Sequence, residues 1–262
     1  MTVHLTTLSV YSVEHSQRSE HALVQAAARE YAFPALHATD TKNSVAGGRQ
    51  LRAAAMLGTV QTIRICYFLA GQKRGTMLRS WDERRARKAQ LLLRPAITAG
   101  MGGQWADIGC GDGIFTHLLL AWLAPDSSVL AVDRDTNALR RLERGLTAEE
   151  RRAVQTLQAD FTAPLPSHTA SQRFDGLLLA NSLHFVRDQR AVLTNLVMQL
   201  RPGGHLIIVE YNAARGNWAV PHPFRDDTCL HLMTAAGLTD AQIITREPSS
   251  FLGEIYTARA TK

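Results

Sequence analysis

Three glycines at alternate positions, Gly109, Gly111 and Gly113, follow the acid Asp107 in the stretch Trp105-Ala-Asp-Ile-Gly-Cys-Gly-Asp-Gly113. Residues without a Cβ let a backbone turn sharply out of a strand and approach a ligand closely. Twenty residues beyond Gly113, a second acid closes the apolar run Val129-Leu-Ala-Val-Asp133. A carboxylate at the tip of the next strand accepts hydrogen bonds from both hydroxyls of a ribose. The chemistry expected is therefore recognition of an adenosine-containing ligand. Position 114 is isoleucine, where a pyrophosphate-binding G-x-G-x-x-G pattern would need its third glycine. Asp107, two residues before the first glycine, would repel a pyrophosphate and favour an ammonium. A cationic, phosphate-free ligand fits this arrangement better than a dinucleotide.

S-adenosylmethionine carries an amine, a sulfonium and a ribose without phosphate, and here the chain resembles the class I S-adenosylmethionine-dependent methyltransferases, whose first motif is D-x-G-x-G-x-G. The resemblance spans roughly residues 80–262. Leu157-Gln-Ala-Asp160-Phe161 ends a third strand, where the resemblance implies an acid on the adenine amine and an apolar residue on its ring. Phe174-Asp-Gly-Leu-Leu-Leu-Ala-Asn-Ser-Leu-His-Phe185 is similar to the fourth motif, and Leu200-Arg-Pro-Gly-Gly-His-Leu-Ile-Ile-Val-Glu210 to the fifth, read as a helix end, a turn and a strand. Aminopropyl transferases share this architecture.

These residues need a scaffold that brings strand ends together. Apolar runs alternate with helical segments over 81–262, the pattern of a mostly parallel, Rossmann-like α/β sheet covered on both faces. Seven strands are predicted: Trp105 to Ile108, Val129 to Val132, Ala153 to Gln158, Phe174 to Ala180, His205 to Glu210, Ala241 to Thr245 and Gly253 to Ala260. The last two resemble the antiparallel pair that closes this family's sheet. Helices are predicted at Arg79 to Ala99, Ile114 to Leu123, Thr136 to Gly145, Asp188 to Leu200 and Phe224 to Ala236. Residues 1–76 lack sustained apolar periodicity and read as an extension, disordered or weakly helical at Ser19 to Tyr31 and Gly48 to Tyr67. Everything the fold needs begins at Met77, so residues 77–262 form the predicted domain and Met77 is a candidate true start.

The formal net charge of +6 is unevenly shared: residues 1–76 hold eight Lys or Arg against four acids, and 77–262 hold 21 against 19. A nearly balanced catalytic region gives no strong nucleic-acid signature. Three cysteines, Cys66, Cys110 and Cys229, without paired spacing point away from disulfides and zinc and towards a reducing, cytoplasmic setting. The N-terminus has no secretory pattern, and the apolar stretch Ala53 to Gly71 is broken by Gln61 and Arg64, short of a membrane span.

The expected cofactor-binding set is Asp107, Gly109, Cys110, Gly111, Gly113, Asp133, Arg134, Asp160, Phe161 and Asn181. Asp107 has a second reading as a cap of the glycine loop, Arg134 as a solvated side chain, and Asp160 as a strand-end turn. His184 is the candidate base, with packing beneath the cofactor as its alternative role. Tyr211, Asn212 and Trp218 are substrate-pocket candidates by position. Arg84-Arg-Ala-Arg-Lys88 reads as a solvated helix face, with Trp81 a possible lid on the same helix, and His222 and His231 as ordinary histidines rather than metal ligands. Fourth-motif residues Ala180-Asn-Ser-Leu-His184 replace the Pro-Pro pair of enzymes acting on base amines. The expected activity is methylation of a small molecule. RNA or protein methylation and a non-catalytic S-adenosylmethionine-binding module are the alternatives.

Overall fold

The computed structural model describes residues 76–165 and 173–262, with side chains of the first helix described from Glu83 onward. In chain order the elements are α1 (Thr76–Leu93), β1 (Gln104–Ile108), α2 (Ile114–Trp122), β2 (Ser128–Asp133), α3 (Thr136–Gly145), α4 (Glu150–Ala153), β3 (Val154–Gln158), β4 (Phe174–Ala180), α5 (Gln189–Val197), β5 (Leu200–Tyr211), α6 (Asp226–Ala235), β6 (Thr239–Ser249) and β7 (Gly253–Thr261). Single 3₁₀ turns occupy Arg94–Ala96 and Leu183–Phe185. The strands form one sheet in the order β3-β2-β1-β4-β5-β7-β6. The first five run parallel, and β7 is antiparallel to both β5 and β6.

Period-two alternation divides the core between the two faces. Trp105, Val129, Leu178, Ile207 and Val209 point towards α1 and α2, where Ala89, Leu92, Leu93, Phe115, Leu118 and Leu119 cover them. Ala106, Ile108, Val132, Leu177, Leu179, Leu206 and Ile208 form the opposite core with Leu193, Leu196, Val197, Cys229 and Met233 of α5 and α6. In α1 the buried Ala86, Ala89 and Leu93 repeat at helical spacing, leaving Arg84, Arg85 and Arg87 exposed. Asp135 caps α3 by accepting from Asn137 N, and Asp188 caps α5 by accepting from Ala191 N at 3.0 Å.

All seven predicted strands and five predicted helices are present, with corrections at their ends. The helix expected to reach Leu200 stops at Val197, and Arg201-Pro-Gly-Gly lies within β5 rather than in a turn. Pro202 disfavours a helical conformation at Arg201. The chain terminus then holds the segment extended: Gly203 N donates to Lys262 O at 2.7 Å, Lys262 N to Gly204 O at 2.9 Å, and Lys262 Nζ to Val197 O and Leu200 O. The first helix begins at Thr76 and ends at Leu93, before the predicted Ala99, since Pro95 enters a 3₁₀ turn. Short α4 had not been predicted. The helices expected at Ser19 to Tyr31 and Gly48 to Tyr67, the Ala53 to Gly71 stretch and the Trp81 side chain lie outside the described residues. No helix among the described residues is long and apolar enough to cross a membrane.

Candidate functional site

Strand order reverses between β1 and β4, and such a switch point opens a crevice beyond the carboxyl ends of parallel strands. The loops leaving these strands are fastened together there. Ser182 Oγ donates to Ile108 O at 2.8 Å, and a Cβ on Gly109 would lie 2.5 Å from the Ser182 Cβ. Gly109 N and Cys110 N both donate to Val132 O, at 2.8 and 3.0 Å, tying the glycine loop to β2. Gly109, Gly111 and Gly113 all have positive φ, at 76°, 56° and 86°. A Cβ on Gly113 would collide with Leu142 of α3, whereas one on Gly111 would meet nothing within 4 Å. Gly113 thus serves close helix packing, and Gly111 borders open space at the strand ends.

The acids divide their tasks. Asp133, at the end of β2, accepts from Gly111 N and Asp135 N, both at 2.8 Å, so one carboxylate braces two loops. Asp107 is buried at 1% exposure and accepts from Thr116 Oγ1 at 2.6 Å. Burial pushes its carboxyl up to about 7 against the lowering by Thr116. Its partner is therefore a helix hydroxyl, not the loop amides of the capping alternative. Asp160 accepts from Thr162 N and Oγ1, and these bonds, with a smaller contribution from Arg134, hold its carboxyl below the usual range. Phe161 stands beside the loop, with a ring carbon 3.5 Å from where a Gly109 Cβ would be. Cys110 turns its side chain into the core of Ala131, Leu139 and Leu142, where burial raises the thiol. What Cys110 gives the site is loop shape. Asn181, just past β4, has φ 53°, and its buried side-chain carbonyl oxygen has no hydrogen-bond partner. Asparagine tolerates this left-handed conformation, and the unmatched acceptor suits a donor on a ligand.

His184 is buried, and its Nδ1–H donates to Glu210 Oε2 at 2.6 Å. Glu210 is itself buried, and its other oxygen accepts from Leu183 N at 2.9 Å and His184 N at 3.2 Å. This fixes the ring and its tautomer, leaving Nε2 as the acceptor. Beside it stand Phe185, with ring centroids 4.3 Å apart, and Tyr211 at 6.3 Å. Tyr211 in turn meets Phe251, of the β6–β7 turn, edge-on at 5.7 Å. Helix α1 reaches this region through Arg85, whose Nη1 is 3.5 Å from Asp112 Oδ2 of the glycine loop. Burial and the Glu210 charge raise the Tyr211 phenol, and Arg85 opposes them. Lys88 joins α1 to the β6–β7 hairpin, contacting Glu247 at 3.4 Å and donating to Pro248 O at 2.8 Å.

Comparison with known proteins shows what the chain is similar to. Residues 106–206 match the family model described as a methyltransferase domain. Over that segment the chain is similar to methyltransferase domains. Over 124 residues it is 31% identical to a demethylmenaquinone methyltransferase of Symbiobacterium thermophilum, covering 47% of this chain and 45% of that protein. Over 129 residues it is 32% identical to a trans-aconitate 2-methyltransferase of Azoarcus sp., covering 48% and 46%. The matches thus span about half the length of these curated relatives. Among solved structures, the N-methyltransferase NodS of Bradyrhizobium japonicum, in complex with S-adenosyl-L-homocysteine, shares the fold at TM-score 0.53 and 20% identity, over 67% of this chain and 86% of that one. An S-adenosylmethionine-dependent methyltransferase of Mesorhizobium loti does so at 0.51 and 20%, over 66% and 98%.

Within the described sheet the glycines, Asp107, Asp133, Phe161, Asn181 and His184 come together at the strand ends. Trp218 does not join them, being 93% exposed. Asn212 is engaged structurally, donating to Glu254 at 2.7 Å and accepting from Asp226 N at 3.3 Å. Exposed His222 donates its N–H to His184 O, and His231 is also exposed. No cluster of metal-ligating side chains occurs among the described residues. Sequence reasoning had not singled out Thr116, Ser182, Glu210 and Phe251, and had placed Arg85 in a basic run on a solvated helix face. For Glu210 a signal existed, since an acid ending a buried β5 run needs a partner.

Proposed function

We propose that this protein binds S-adenosylmethionine at the β1–β4 switch point and transfers its methyl group to a small molecule. The observation that carries the reading is the fastened pair of loops, one with a glycine facing open space and the other with an unmatched buried acceptor. The residues fit the cofactor. Gly111 leaves room for its close approach, Asp133 is placed for the ribose hydroxyls, Phe161 for an adenine face, and Asn181 Oδ1 for the ammonium. Asp160 and Arg134 border the adenine end. Asp107 near 7 lies close to its ionisation point, so an incoming cation draws it towards the carboxylate.

When bound, the cofactor would supply an electrophilic methyl group on a sulfonium, the sulfur keeping the carbon–sulfur electron pair as the acceptor takes the methyl. The protein's remaining task is to align the acceptor and to take up its proton. His184, oriented by Glu210, presents Nε2 for that proton, a positioned base of the kind methyl transfer to a hydroxyl or amine needs. The two relatives are named for small-molecule substrates, which supports a small-molecule acceptor. Free, buried Cys110 and Cys229 are in keeping with a reducing, cytoplasmic setting. Calorimetric titration of the purified protein tests the reading. Saturable binding of S-adenosylmethionine and S-adenosylhomocysteine, with none of NAD, is expected; no binding, or preference for NAD, overturns it.

A further inference from the structure

We propose that the methyl acceptor is a planar molecule bearing a carboxylate, with its flat part on the Phe185, Tyr211 and Phe251 rings and its anion on Arg85. The inference rests on the methyl-transfer reading above. Three observations converge on it. The rings come from three separate elements, the turn after β4, the end of β5 and the β6–β7 turn, and meet in one row through His184 and Tyr211. Two of the three remain open to solvent, Phe185 at 54% and Phe251 at 47% exposure, although large rings are normally covered. His184 lies within the row, between Phe185 and Tyr211, so a molecule on it has a reacting group beside the positioned base.

The charge argument selects the anion. Lys88 is engaged by Glu247 and the Pro248 carbonyl. Among the described residues Arg85 has one long contact, 3.5 Å to Asp112, with both side chains well exposed at 57% and 44%. Exposed single contacts of this kind contribute little, and the guanidinium fork suits a carboxylate far better. Its charge acts on the Tyr211 phenol, so Arg85 stands near the aromatic row as well as the glycine loop. The row's nearest acid, Glu210, is buried and bound by the His184 ring and two amides, leaving it no direct contact with the acceptor.

The test uses the full chain saturated with S-adenosylhomocysteine, and ligand-observed NMR titrations with benzoate, benzamide and acetate. Benzoate is expected to bind about tenfold more tightly than benzamide, equivalent to about 1.4 kcal/mol, and more tightly than acetate. In Arg85→Ala the advantage over benzamide is expected to disappear, to return partly in Arg85→Lys, and S-adenosylhomocysteine affinity is expected to stay within about twofold (about 0.4 kcal/mol). Phe251→Leu should weaken benzoate and benzamide alike. If S-adenosylhomocysteine binds but benzoate shows no advantage, or keeps it in Arg85→Ala, the acceptor inference falls and the methyl-transfer reading stands. If Arg85→Ala instead weakens S-adenosylhomocysteine, the guanidinium serves the cofactor, and the inference also falls. Failure of the wild-type protein to bind S-adenosylhomocysteine removes the methyl-transfer reading and this inference with it.

Discussion

Gly111 and Gly113 have the same type of backbone and opposite surroundings, so an alanine should report different things at each. At Gly113 the left-handed φ and the collision with Leu142 act together. The conformational cost is about 1–2 kcal/mol and overpacking adds about 1–3 kcal/mol. We expect Gly113→Ala to lower the urea midpoint sharply. Gly111→Ala meets no atom within 4 Å and bears only the conformational cost. It should fold, with a modest loss of about 1–2 kcal/mol, and lose S-adenosylhomocysteine binding. Urea unfolding and calorimetry on both variants check this, and equal loss of stability would contradict it. The contrast shows which residues were legible in sequence. Glycines and Asp133 announce themselves because backbone geometry and strand ends restrict what stands there. Arg85, Glu210 and Phe251 act by meeting partners far along the chain, and neither spacing nor composition encodes that.

Elements were legible where the repeat was long and their ends where the chemistry was local. α3 matches its predicted bounds because Asp135 caps one end and the amphipathic repeat sets the rest. The Pro-Gly-Gly segment was misread because its extended conformation depends on Lys262, which sequence distance conceals. Short α4 carries no repeat at all, but its reciprocal cap is visible afterwards: Thr147 N donates to Glu150 Oε2 at 2.8 Å and Glu150 N to Thr147 Oγ1 at 3.2 Å. Glu150 also accepts from buried His117 Nδ1 at 2.8 Å, linking α4 to α2. Burial pushes the Glu150 carboxyl up, yet these hydrogen bonds outweigh it and hold it at about 2 against an ordinary 4.5. A folded value below the unfolded one means that the unfolded chain binds more protons in the window between them. The stabilisation is therefore complete above about 4.5 and lost as pH falls towards 2. The urea midpoint of Glu150→Gln should lie below that of wild type at pH 5 and converge with it as pH falls over this window, whereas an unchanged gap over the same window would show that the charge is immaterial.

At the scale of the molecule, every described strand lies within residues 104–261, and α1 is fastened to that sheet. Thr257 Oγ1 donates to Leu92 O at 2.9 Å, Arg259 Nη1 to Ala96 O at 3.0 Å, and Lys88 reaches the β6–β7 hairpin. Both strand-end loops of the candidate site and its aromatic row fall in the same span. The basic excess lies elsewhere: residues 77–262 carry 21 basic and 19 acidic side chains, a net +2 against +6 for the full chain. We propose residues 77–262 as an autonomous domain, with much of the chain's net charge in the preceding segment. A protein beginning at Met77 is therefore expected to unfold cooperatively in urea at a midpoint close to that of the full chain and to bind S-adenosylhomocysteine within about twofold of its affinity (about 0.4 kcal/mol). It should also bind less tightly to a cation-exchange resin, since two-thirds of the net charge is gone. Loss of cooperative unfolding would assign residues 2–76 a part in the fold. Retained unfolding with lost binding would instead bring that segment into the cofactor site, and either result would remove the domain boundary argued here.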